Sequence, residues 1–359
     1  MEISKEAYFI RQTTLPEIGK QGQEKLQNAK VLIIGCGGLG SPVAVYLAAS
    51  GIGTLHLVDF DVVSVSNLHR QVFYKTEDVG KPKAEILASE IKKRAPFTQV
   101  TFSNKEVDKN SILELISKFD VVVDATDNLP VKYLINDACV IAQKSLVYGS
   151  LYKFDGYVAT FNVSDNQGNI SCNLRDAFPK IATDIPNCEQ AGTLNPIVGI
   201  IAMLQANEVI KLITKTGKLL ANQLLIYNAL ENSQLKIKLK KNADLNIHEI
   251  FKNSTYIDKD CSVQDPSMLI SGSSLKKIVN DDNFKIVSIL NETDIELPFN
   301  VHQKIPYAIF DVEKFNPDFS KSYVIVCPKG ITSYDVTLKL KDKYPLLSVF
   351  SLKNGIINY

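Results

Sequence analysis

Residues 30–59 read KVLIIGCGGLGSPVAVYLAASGIGTLHLVD, and this stretch decides the fold of most of the chain. It predicts an apolar strand over 30–34, a glycine-rich turn, a helix over 42–50, and a second strand over 54–58 that closes at Asp59. A strand, a helix and a strand within about 30 residues form a βαβ unit, the building block of a parallel sheet.

The glycines of this turn, Gly35, Gly37 and Gly40, fit the spacing G-x-G-x-x-G between a strand and a helix. Glycine lets the backbone approach phosphates, a helix N-terminus favours anions, and an acid such as Asp59 can bond ribose hydroxyls. The turn therefore predicts a nucleotide site. Taken alone, it also fits an NAD-dependent oxidoreductase, or a tight turn that binds no ligand.

Apolar strands continue to alternate with helices along the chain. Helices are predicted within 5–29, with a break near 16–19, and over 81–93, 111–118, 132–143 and 196–213. Strands are predicted over 99–103, 119–124, 145–150, 152–162, 223–227 and 234–239. Continuous apolar strands between helices indicate a doubly wound, mostly parallel sheet covered on both faces, in a domain over 1–240.

Two segments lack this periodicity. Residues 163–196 are rich in Asn, Asp, Pro and Gly and predict a long loop, which is usually functional inside a compact domain. Residues 241–265 are polar and are interpreted as a linker. Beyond them, residues 266–359 predict a second, small α/β domain, with strands over 284–290, 323–326 and 347–350 and a helix over 332–343.

Length and charge narrow the class of protein. A chain of 359 residues suggests two domains. Its 40 basic and 39 acidic side chains give no bulk electrostatic reason to bind nucleic acid or an anionic membrane. No apolar run reaches the ~18 residues of a membrane span, and the N-terminus has no signal core, so a cytoplasmic protein is predicted. The six scattered cysteines do not indicate a disulfide framework.

Three charged residues point to a triphosphate rather than a nicotinamide dinucleotide. Arg70 and Lys83 follow the second strand, and Asp127 follows a strand end in DATDN. When a bond to the α-phosphorus changes, charge builds on the phosphates, and cations or a magnesium ion offset it. Arg70 and Lys83 can supply the cations, and Asp127 can supply a metal ligand.

Together, GCGGLG (35–40), DFDVVSVSNLHRQ (59–71), GKPK (80–83) and DATDN (124–128) resemble the MoeB/ThiF/HesA family, bacterial relatives of ubiquitin-activating enzymes. YFIRQ (8–12) and NCEQAG (187–192) extend the resemblance to about residues 5–240. It implies a Rossmann-like fold that binds ATP and Mg2+. It also implies adenylation of the C-terminal Gly-Gly carboxylate of a ubiquitin-fold sulfur-carrier protein, MoaD-like or ThiS-like, for thiocarboxylate formation in molybdopterin or thiamine biosynthesis.

The resemblance also assigns residue roles. Asp59 would hold the ribose, Asp127 would bind magnesium, and Arg11 would reach the ATP site of the other subunit, which implies a homodimer. Arg70, Lys83 and Asp127 would be catalytic. The full predicted nucleotide set is Arg11, Gly35, Gly37, Gly38, Gly40, Asp59, Asp61, Asn67, Arg70, Gln71, Lys83, Asp127 and Asn128.

This chain lacks one set of the family's cysteines and keeps another cysteine. MoeB-type members usually carry two C-x-x-C pairs that bind zinc, but Asn173 and Asp176 occupy the places of the first pair, and no cysteine follows 239–241. Tetrahedral zinc needs four thiolate or imidazole ligands, so no zinc site is predicted. Cys188 occupies the family's reactive cysteine position and is a candidate for sulfur transfer.

The second domain resembles a degenerate rhodanese domain. Cys327-Pro328-Lys329-Gly330-Ile331-Thr332-Ser333 follows a strand, precedes a helix and resembles the active loop C-x-x-G-x-[RD]-S. Backbone N–H groups at the head of a helix can stabilise a thiolate. Cys327 is therefore the candidate nucleophile, and a cysteine desulfurase is a candidate partner. Thr332 replaces the usual charged residue, which puts sulfurtransferase activity in doubt.

Three alternatives to a sulfur-carrier adenylyltransferase are kept. One is a relative that adenylates another peptide or a tRNA. The second is an NAD-dependent oxidoreductase, which would leave Arg70, Lys83 and Asp127 unused. The third is a catalytically silent scaffold, which fits the degenerate second domain but not the complete nucleotide site.

Overall fold

The computed structural model describes residues 4–179, 192–256, 265–290, 297–328, 330–356 and 359. The chain forms two compact units, Met1–Tyr256 and Ile257–Tyr359. Each is described by itself.

The first unit is built on one sheet whose described strands run in the order β3-β2-β1-β4-β5-β6-β7-β8. The pairs from β3 to β5 are parallel, and those from β5 to β8 are antiparallel. The strands are β1 Lys30–Ile34, β2 Thr54–Val58, β3 Gln99–Ser103, β4 Val121–Asp124, β5 Ser145–Tyr152, β6 Asp155–Phe161, β7 Gln223–Asn228 and β8 Ser233–Lys238. The predicted mostly parallel α/β sheet is confirmed.

Helices cover both faces of this sheet. They are α1 Lys5–Thr13, α2 Gly19–Asn28, α3 Gly40–Ala49, α4 Lys83–Arg94, α5 Ile112–Ser117, α6 Leu129–Ile141, α7 Leu174–Ala177, α8 Asn195–Thr214 and α9 Ile247–Asn253. Side chains alternate along β1, so that Val31 and Ile33 join one core cluster while Leu32 and Ile34 join another. Both faces are thus buried, which is why β1 reads as a continuous apolar run.

The long helix α8 is apolar enough, by length and composition, to cross a membrane. It is not an uninterrupted apolar run, the feature that the sequence analysis looked for, because Gln205, Glu208 and Lys211 lie within it. Half of the helix's apolar window is buried, because it packs against α3, β5 and β6. Ile197 and Ile201 are fully buried there, as expected of a core helix in a sheet-based domain.

The predicted linker was too long. Residues up to 256 belong to the first unit: α9 packs against α6, and Phe251 and Tyr256 are buried in the second of the two core clusters. Hydropathy missed this because α9 is short, and its buried face consists of little more than Ile247 and Phe251.

The second unit contains a sheet of described strands in the order β11-β10-β12-β13-β9, all parallel. Its strands are β9 Leu269–Ile270, β10 Phe284–Ser288, β11 Gln303–Lys304, β12 Ser322–Val326 and β13 Val349–Leu352, and its helices are α10 Gly272–Ile278 and α11 Ile331–Lys343. Its core clusters lie on the two sides of β12, around Ile325 and around Val324. The predicted small α/β architecture of this region is confirmed.

Candidate functional site

The glycine-rich turn joins β1 to α3 and is held by close backbone packing. Gly35 has φ +92°, and a Cβ there would lie 2.6 Å from the carbonyl oxygen of Ala125. A Cβ on Gly38 would lie 2.6 Å from Cγ1 of Val198, on α8. These glycines therefore bring the turn against the end of β4 and against α8, where larger residues would not fit.

Gly37 faces the segment that carries Arg70, one of the two predicted cations. The position of its absent Cβ is 3.3 Å from Nε2 of Gln71, and that of Gly38 is 3.9 Å from Cγ of Arg70. A turn begun by Asn67, whose carbonyl accepts the N–H groups of Arg70 and Gln71, holds this segment in place. The predicted residues Gly37, Gly38, Asn67, Arg70 and Gln71 are therefore neighbours in the folded chain.

Asp59, at the end of β2, anchors the turn. Its carboxylate accepts the N–H of Cys36 at 2.6 Å and the N–H of Asp61 at 2.8 Å. Burial raises the pKa of Asp59 above its ordinary value, although the two N–H donors and Lys83 oppose the change. A carboxylate fixed beside the first turn of a βαβ unit is placed to accept ribose hydroxyls.

Lys83 brings a buried cation to the same edge of the sheet. Its side chain is only 5% exposed, and its Nζ lies 2.9 Å from Oδ2 of Asp61, a carboxylate that is half exposed. The backbone N–H of Lys83 also donates to the carbonyl of Asp61. A buried ammonium with one solvent-facing counter-ion can exchange that carboxylate for a phosphate without leaving its pocket.

Asp127 and Asn128 lie between β4 and α6, beside the turn. Asn128 caps α6 by accepting the N–H of Val131, and the side chain of Asp127 is exposed. The loop is fixed from beneath by Asp124, which is fully buried and accepts both the N–H and the hydroxyl of Thr126.

The sequence analysis did not find the cation that balances Asp124. Lys132 of α6 is buried, with Nζ at 3.3 and 3.2 Å from the two carboxylate oxygens of Asp124 and 2.7 Å from the carbonyl of Gly149. Its spacing of eight residues from Asp124 places the two at adjoining ends of β4 and α6. The pair keeps the loop that carries Asp127 in one conformation.

Tyr74 was also missed. Its buried hydroxyl donates to the carbonyl oxygen of Cys36 at 2.6 Å, and the carbonyl oxygen of Lys83 lies 3.3 Å from the same hydroxyl. It therefore ties the glycine turn to the start of α4. Nothing in the local sequence marked this tyrosine, because its partners are 38 and 9 residues away.

The residues at this edge fit a nucleoside triphosphate. The turn leads into the N-terminus of α3, where backbone N–H groups favour anions. Gln71 is 5% exposed, and its Oε1 finds no hydrogen-bond partner among the described residues. Oε1 of Gln71 is thus a buried acceptor without a partner beside the glycine-rich turn, and Arg70 and Lys83 supply positive charge to the same turn. This environment suits a polar, anionic ligand better than an apolar one.

Arg11 is not part of this cluster in its own chain. It is an exposed residue of α1, a helix whose Phe9 and Gln12 contact Gly51 and Ser50. These lie beyond the C-terminal end of α3, about 15 Å from the glycine turn by the rise of a ten-residue helix. Cys188 lies outside the described residues.

Two hydrogen-bonding residues occupy the positions where MoeB-type members carry their first pair of zinc-binding cysteines. Asn173 and Asp176 form a capping box at α7, and the second oxygen of Asp176 accepts the N–H of Asn242 at 2.8 Å. Neither a thiol nor an imidazole is present at these three positions, so they do not fit tetrahedral zinc.

A buried ion pair lies next to this box. Arg175 donates to both oxygens of Asp137, at 2.7 to 3.0 Å, and the Tyr256 hydroxyl donates to the same carboxylate at 2.5 Å. Burial and the bond to Asp137 raise the pKa of Tyr256. These contacts join α6, α7 and the end of the first unit.

In the second unit, Cys327 directly follows β12 and is buried before the head of α11. Its Sγ accepts the N–H of Gly330 at 3.0 Å and that of Ser333 at 3.3 Å, and lies 3.1 Å from the Ser333 hydroxyl. Gly330 has φ +84°, which turns the loop around the sulfur. The loop therefore surrounds Cys327 with hydrogen-bond donors. The predicted Lys329 lies outside the described residues.

The cysteines of the described part of the chain, Cys36, Cys139, Cys172 and Cys327, are free and buried. Burial, followed by the charge of Asp59, raises the pKa of Cys36 well above its ordinary value, so this thiol of the glycine turn stays protonated.

Comparison with known proteins relates this geometry to a family. The model of the ThiF family matches residues 9–247. A sulfur carrier protein adenylyltransferase from Thermus thermophilus is 42% identical over 236 residues, covering 65% of this chain and 87% of that protein. The probable adenylyltransferase/sulfurtransferase MoeZ from Mycobacterium tuberculosis is 40% identical over 237 residues, but this match spans only 60% of MoeZ.

One relative extends through the second unit. The adenylyltransferase and sulfurtransferase MOCS3 from Drosophila grimshawi is 32% identical over 375 aligned positions, covering 98% of this chain and 83% of that protein. Among solved structures, Escherichia coli MccB with ATP superposes with a TM-score of 0.56 at 26% identity, over 63% of this chain and 68% of that one.

Proposed function

The chain belongs to the ThiF family, and from this premise we propose that it uses ATP to adenylate the C-terminal carboxylate of a ubiquitin-fold sulfur-carrier protein. The observation that carries the proposal is the placement of Arg70, Gln71 and the buried Lys83 around a glycine turn at a helix N-terminus. An NAD-dependent oxidoreductase would leave these cations unused, and the named relatives do not favour that alternative.

The reaction needs positioning and charge rather than a general base. The carrier's terminal carboxylate is already ionised at neutral pH. One of its oxygens attacks the α-phosphorus, the bond to the β-phosphate oxygen breaks, and pyrophosphate leaves with that electron pair. Arg70 and Lys83 stabilise the negative charge that shifts onto the departing phosphates. Asp59 holds the ribose, and the turn over 35–40 holds the phosphates by backbone N–H groups.

For magnesium, we propose Asp127 as the ligand from the protein. It is an exposed carboxylate at the carboxyl end of β4, beside the turn, and its loop is fixed by Asp124 and Lys132. When bound, Mg2+ would neutralise phosphate charge. Carboxylate and phosphate oxygens suit this hard cation, so the residue present fits the group.

A homodimer would complete the site. Arg11 lies at the far end of α3 from its own glycine turn, so it can serve an ATP site only on another copy of the chain. Removing it should impair ATP turnover without changing the fold. Mixing Arg11→Ala chains with Lys83→Ala chains should restore activity in the heterodimers that hold one intact site.

The second unit is proposed to carry sulfur on Cys327. The Cys327 thiolate would attack the outer sulfur of a protein persulfide, such as that of a cysteine desulfurase. The donor's S–S bond breaks, and its thiolate leaves with the electron pair. Cys327 then holds the persulfide in a loop of N–H donors, which needs no fixed cation. Thiosulfate, a dianion, gains no such cation from Thr332, so we expect poor thiosulfate turnover.

Transfer to the carrier follows from the same chemistry. The outer sulfur of the Cys327 persulfide attacks the acyl adenylate, AMP leaves, and an acyl disulfide forms. A second thiol then attacks the Cys327 sulfur, releasing the thiocarboxylate and leaving a disulfide that a cellular dithiol reduces. Cys188, at the family's reactive cysteine position, is proposed to take part in the sulfur transfer. Cys188→Ser should keep ATP–pyrophosphate exchange and lose thiocarboxylate formation; survival of both would make Cys188 structural.

The adenylation proposal is tested by ATP–pyrophosphate exchange with purified carriers. We expect exchange with a MoaD-like or a ThiS-like carrier, and none with the same carrier lacking its last two glycines. Running both carriers side by side distinguishes the molybdopterin from the thiamine route. Exchange with an unrelated peptide or a tRNA, and with neither carrier, would overturn the assignment.

The sulfur proposal has a separate test. After incubation with a cysteine desulfurase and cysteine, mass spectrometry should find an adduct of about 32 Da, one sulfur atom, on the Cys327 peptide. The Cys327→Ala variant is the control. An unmodified Cys327, or rapid thiosulfate turnover, would contradict the proposal.

A further inference from the structure

A second buried hydroxyl stands behind the Cys327 loop. Ser351 lies on β13, the strand beside β12, and its Oγ is 2.8 Å from Oγ of Ser333. Ser333 and Ser351 are both fully buried, and Cys327 is 1% exposed. Three atoms thus form a chain of contacts: Sγ of Cys327 lies 3.1 Å from Oγ of Ser333, which lies 2.8 Å from Oγ of Ser351.

Each hydroxyl has one proton, so the chain has only two consistent arrangements. In the first, Ser351 donates to Ser333, and Ser333 donates to the sulfur. In the second, Ser333 donates to Ser351, and Ser351 donates to the carbonyl oxygen of Gly330, which lies 3.5 Å away. The first arrangement offers the sulfur a proton, and the second offers it an oxygen lone pair.

The two arrangements match two states of a sulfur carrier. As a thiolate, Sγ of Cys327 bears the negative charge and needs a donor. As a persulfide, Sγ is bonded to the outer sulfur, and the charge resides on that outer atom, so Sγ no longer needs the proton of Ser333. A lone serine would then be left with a buried donor lacking an acceptor, which is costly. Ser351 provides that acceptor.

We propose that Ser351 is a positioning residue for Cys327: it orients the Ser333 hydroxyl toward the thiolate, and it accepts the hydrogen bond of that hydroxyl when the sulfur is loaded. The inference rests on the proposed role of Cys327 as a sulfur carrier. Ser351 acts through Ser333 and does not touch the sulfur itself.

Other charges near the loop are accounted for within the described residues. Asp335 of α11 forms an ion pair with Lys339 at 2.6 Å and accepts the hydroxyl of Tyr307 at 2.9 Å. Lys304 on β11 and Lys353 after β13 are exposed. Since these groups stay unchanged in serine variants, a change in the titration of Cys327 can be attributed to the hydroxyls.

The test is a titration of the full chain followed by thiolate absorbance. Each variant is measured against the same variant carrying Cys327→Ser, and the difference isolates Cys327 whether or not a reagent can reach it. Ser333→Ala should move the titration midpoint up by about one pH unit, the effect of losing a hydrogen bond to a charged group. Ser351→Ala should move it up by about half as much. Ser348→Ala, an exposed hydroxyl near β13, is the matched control and should not move it.

The decisive comparison is the double variant. Because Ser351 acts only through Ser333, Ser333→Ala with Ser351→Ala should shift the midpoint no further than Ser333→Ala alone. A midpoint unchanged in Ser351→Ala, or additive shifts in the double variant, would overturn the proposal. Should Ser351→Ala fail to fold, Ser351→Gly is titrated in its place. The titration needs no sulfur donor. If Cys327 takes up no persulfide but the shifts are found, sulfur transfer fails and the positioning role of Ser351 stands.

Discussion

The glycine turn of the first unit and the Cys327 loop of the second have the same local plan and different chemistry. Each follows a parallel strand, contains a glycine of positive φ, Gly35 at +92° or Gly330 at +84°, and leads into a helix. The first is surrounded by charged side chains, including Arg70 and Lys83. In the second, the donors that the described residues offer the sulfur are the N–H groups of Gly330 and Ser333 and the hydroxyl of Ser333.

The two sites differ in their charged groups because their anions differ in origin. A triphosphate arrives with several charges, so its site needs full cations that offset them. A thiolate is formed in place by loss of one proton and carries a single negative charge, which backbone N–H groups can stabilise without a full cation. Backbone donors and movable hydroxyls stabilise a single charge that comes and goes. The predictions below test this contrast.

The largest effect is expected from removing a cation of the first site. Arg70→Ala or Lys83→Ala should lower the exchange rate by two to three decades, since losing one group that stabilises transition-state charge costs roughly 3–4 kcal/mol. Lys81→Ala removes an exposed lysine two residues from Lys83 and is the control. Exchange close to wild type in both site variants, with an unaltered fold, would show that the cations are not part of the reaction.

A smaller effect is expected from closing the turn sterically. Gly38→Ala places a Cβ 2.6 Å from Val198, an overpacking that should cost about 1–3 kcal/mol and lower the melting temperature by about 5 °C. Val198→Ala in the same chain should recover part of the loss. Gly199→Ala, where a Cβ meets nothing within 4 Å, should not destabilise the protein. If Gly38→Ala melts like wild type, the packing reason for this glycine is wrong.

Acidification should weaken ATP binding through Asp59. Its pKa is raised by burial, so protonation begins at a higher pH than for a free aspartate. The ionised carboxylate is present above that raised pKa and is lost as the pH falls through it. The KM for ATP should therefore rise as the pH falls through that raised pKa, by about tenfold for the loss of one charged acceptor, and the Asp59→Asn variant should lack this pH dependence. If the KM for ATP depended on pH in the same way in wild type and in Asp59→Asn, Asp59 would not be the group that binds the ribose.

The smallest effect tests the independence of the two sites. Cys327→Ser should leave ATP–pyrophosphate exchange within about twofold of wild type, because carboxylate attack on ATP needs no thiol. A large loss would mean that the second unit contributes to adenylation.

The same preparation can be assayed for metal: we expect no stoichiometric zinc, since Asn173, Asp176 and Asn242 offer hydrogen bonds rather than soft ligands. One tightly held zinc per chain would mean that the region was misaligned.

Much of the first site could be predicted because its parts are local patterns. The glycine turn, Asp59 and the segment with Arg70 lie within 37 residues, on strands and turns whose order along the chain fixes their order in space. Tyr74 and Lys132 could not be predicted this way. Tyrosine and lysine at such positions are ordinary residues until the fold brings them to the Cys36 carbonyl and to Asp124.

By itself, the sequence determined the βαβ start, the two α/β units, the candidate nucleotide residues and the candidate Cys327, since strand periodicity, glycine spacing and charged motifs are written in neighbouring residues. Only the tertiary structure decided that residues up to 256 pack into the first unit, that Lys132 neutralises Asp124, and that Ser351 lies behind Ser333. These contacts join residues that are distant in the chain or lie on separate elements. Their partners are chosen by packing and by the need to satisfy buried polar groups, which local patterns do not encode.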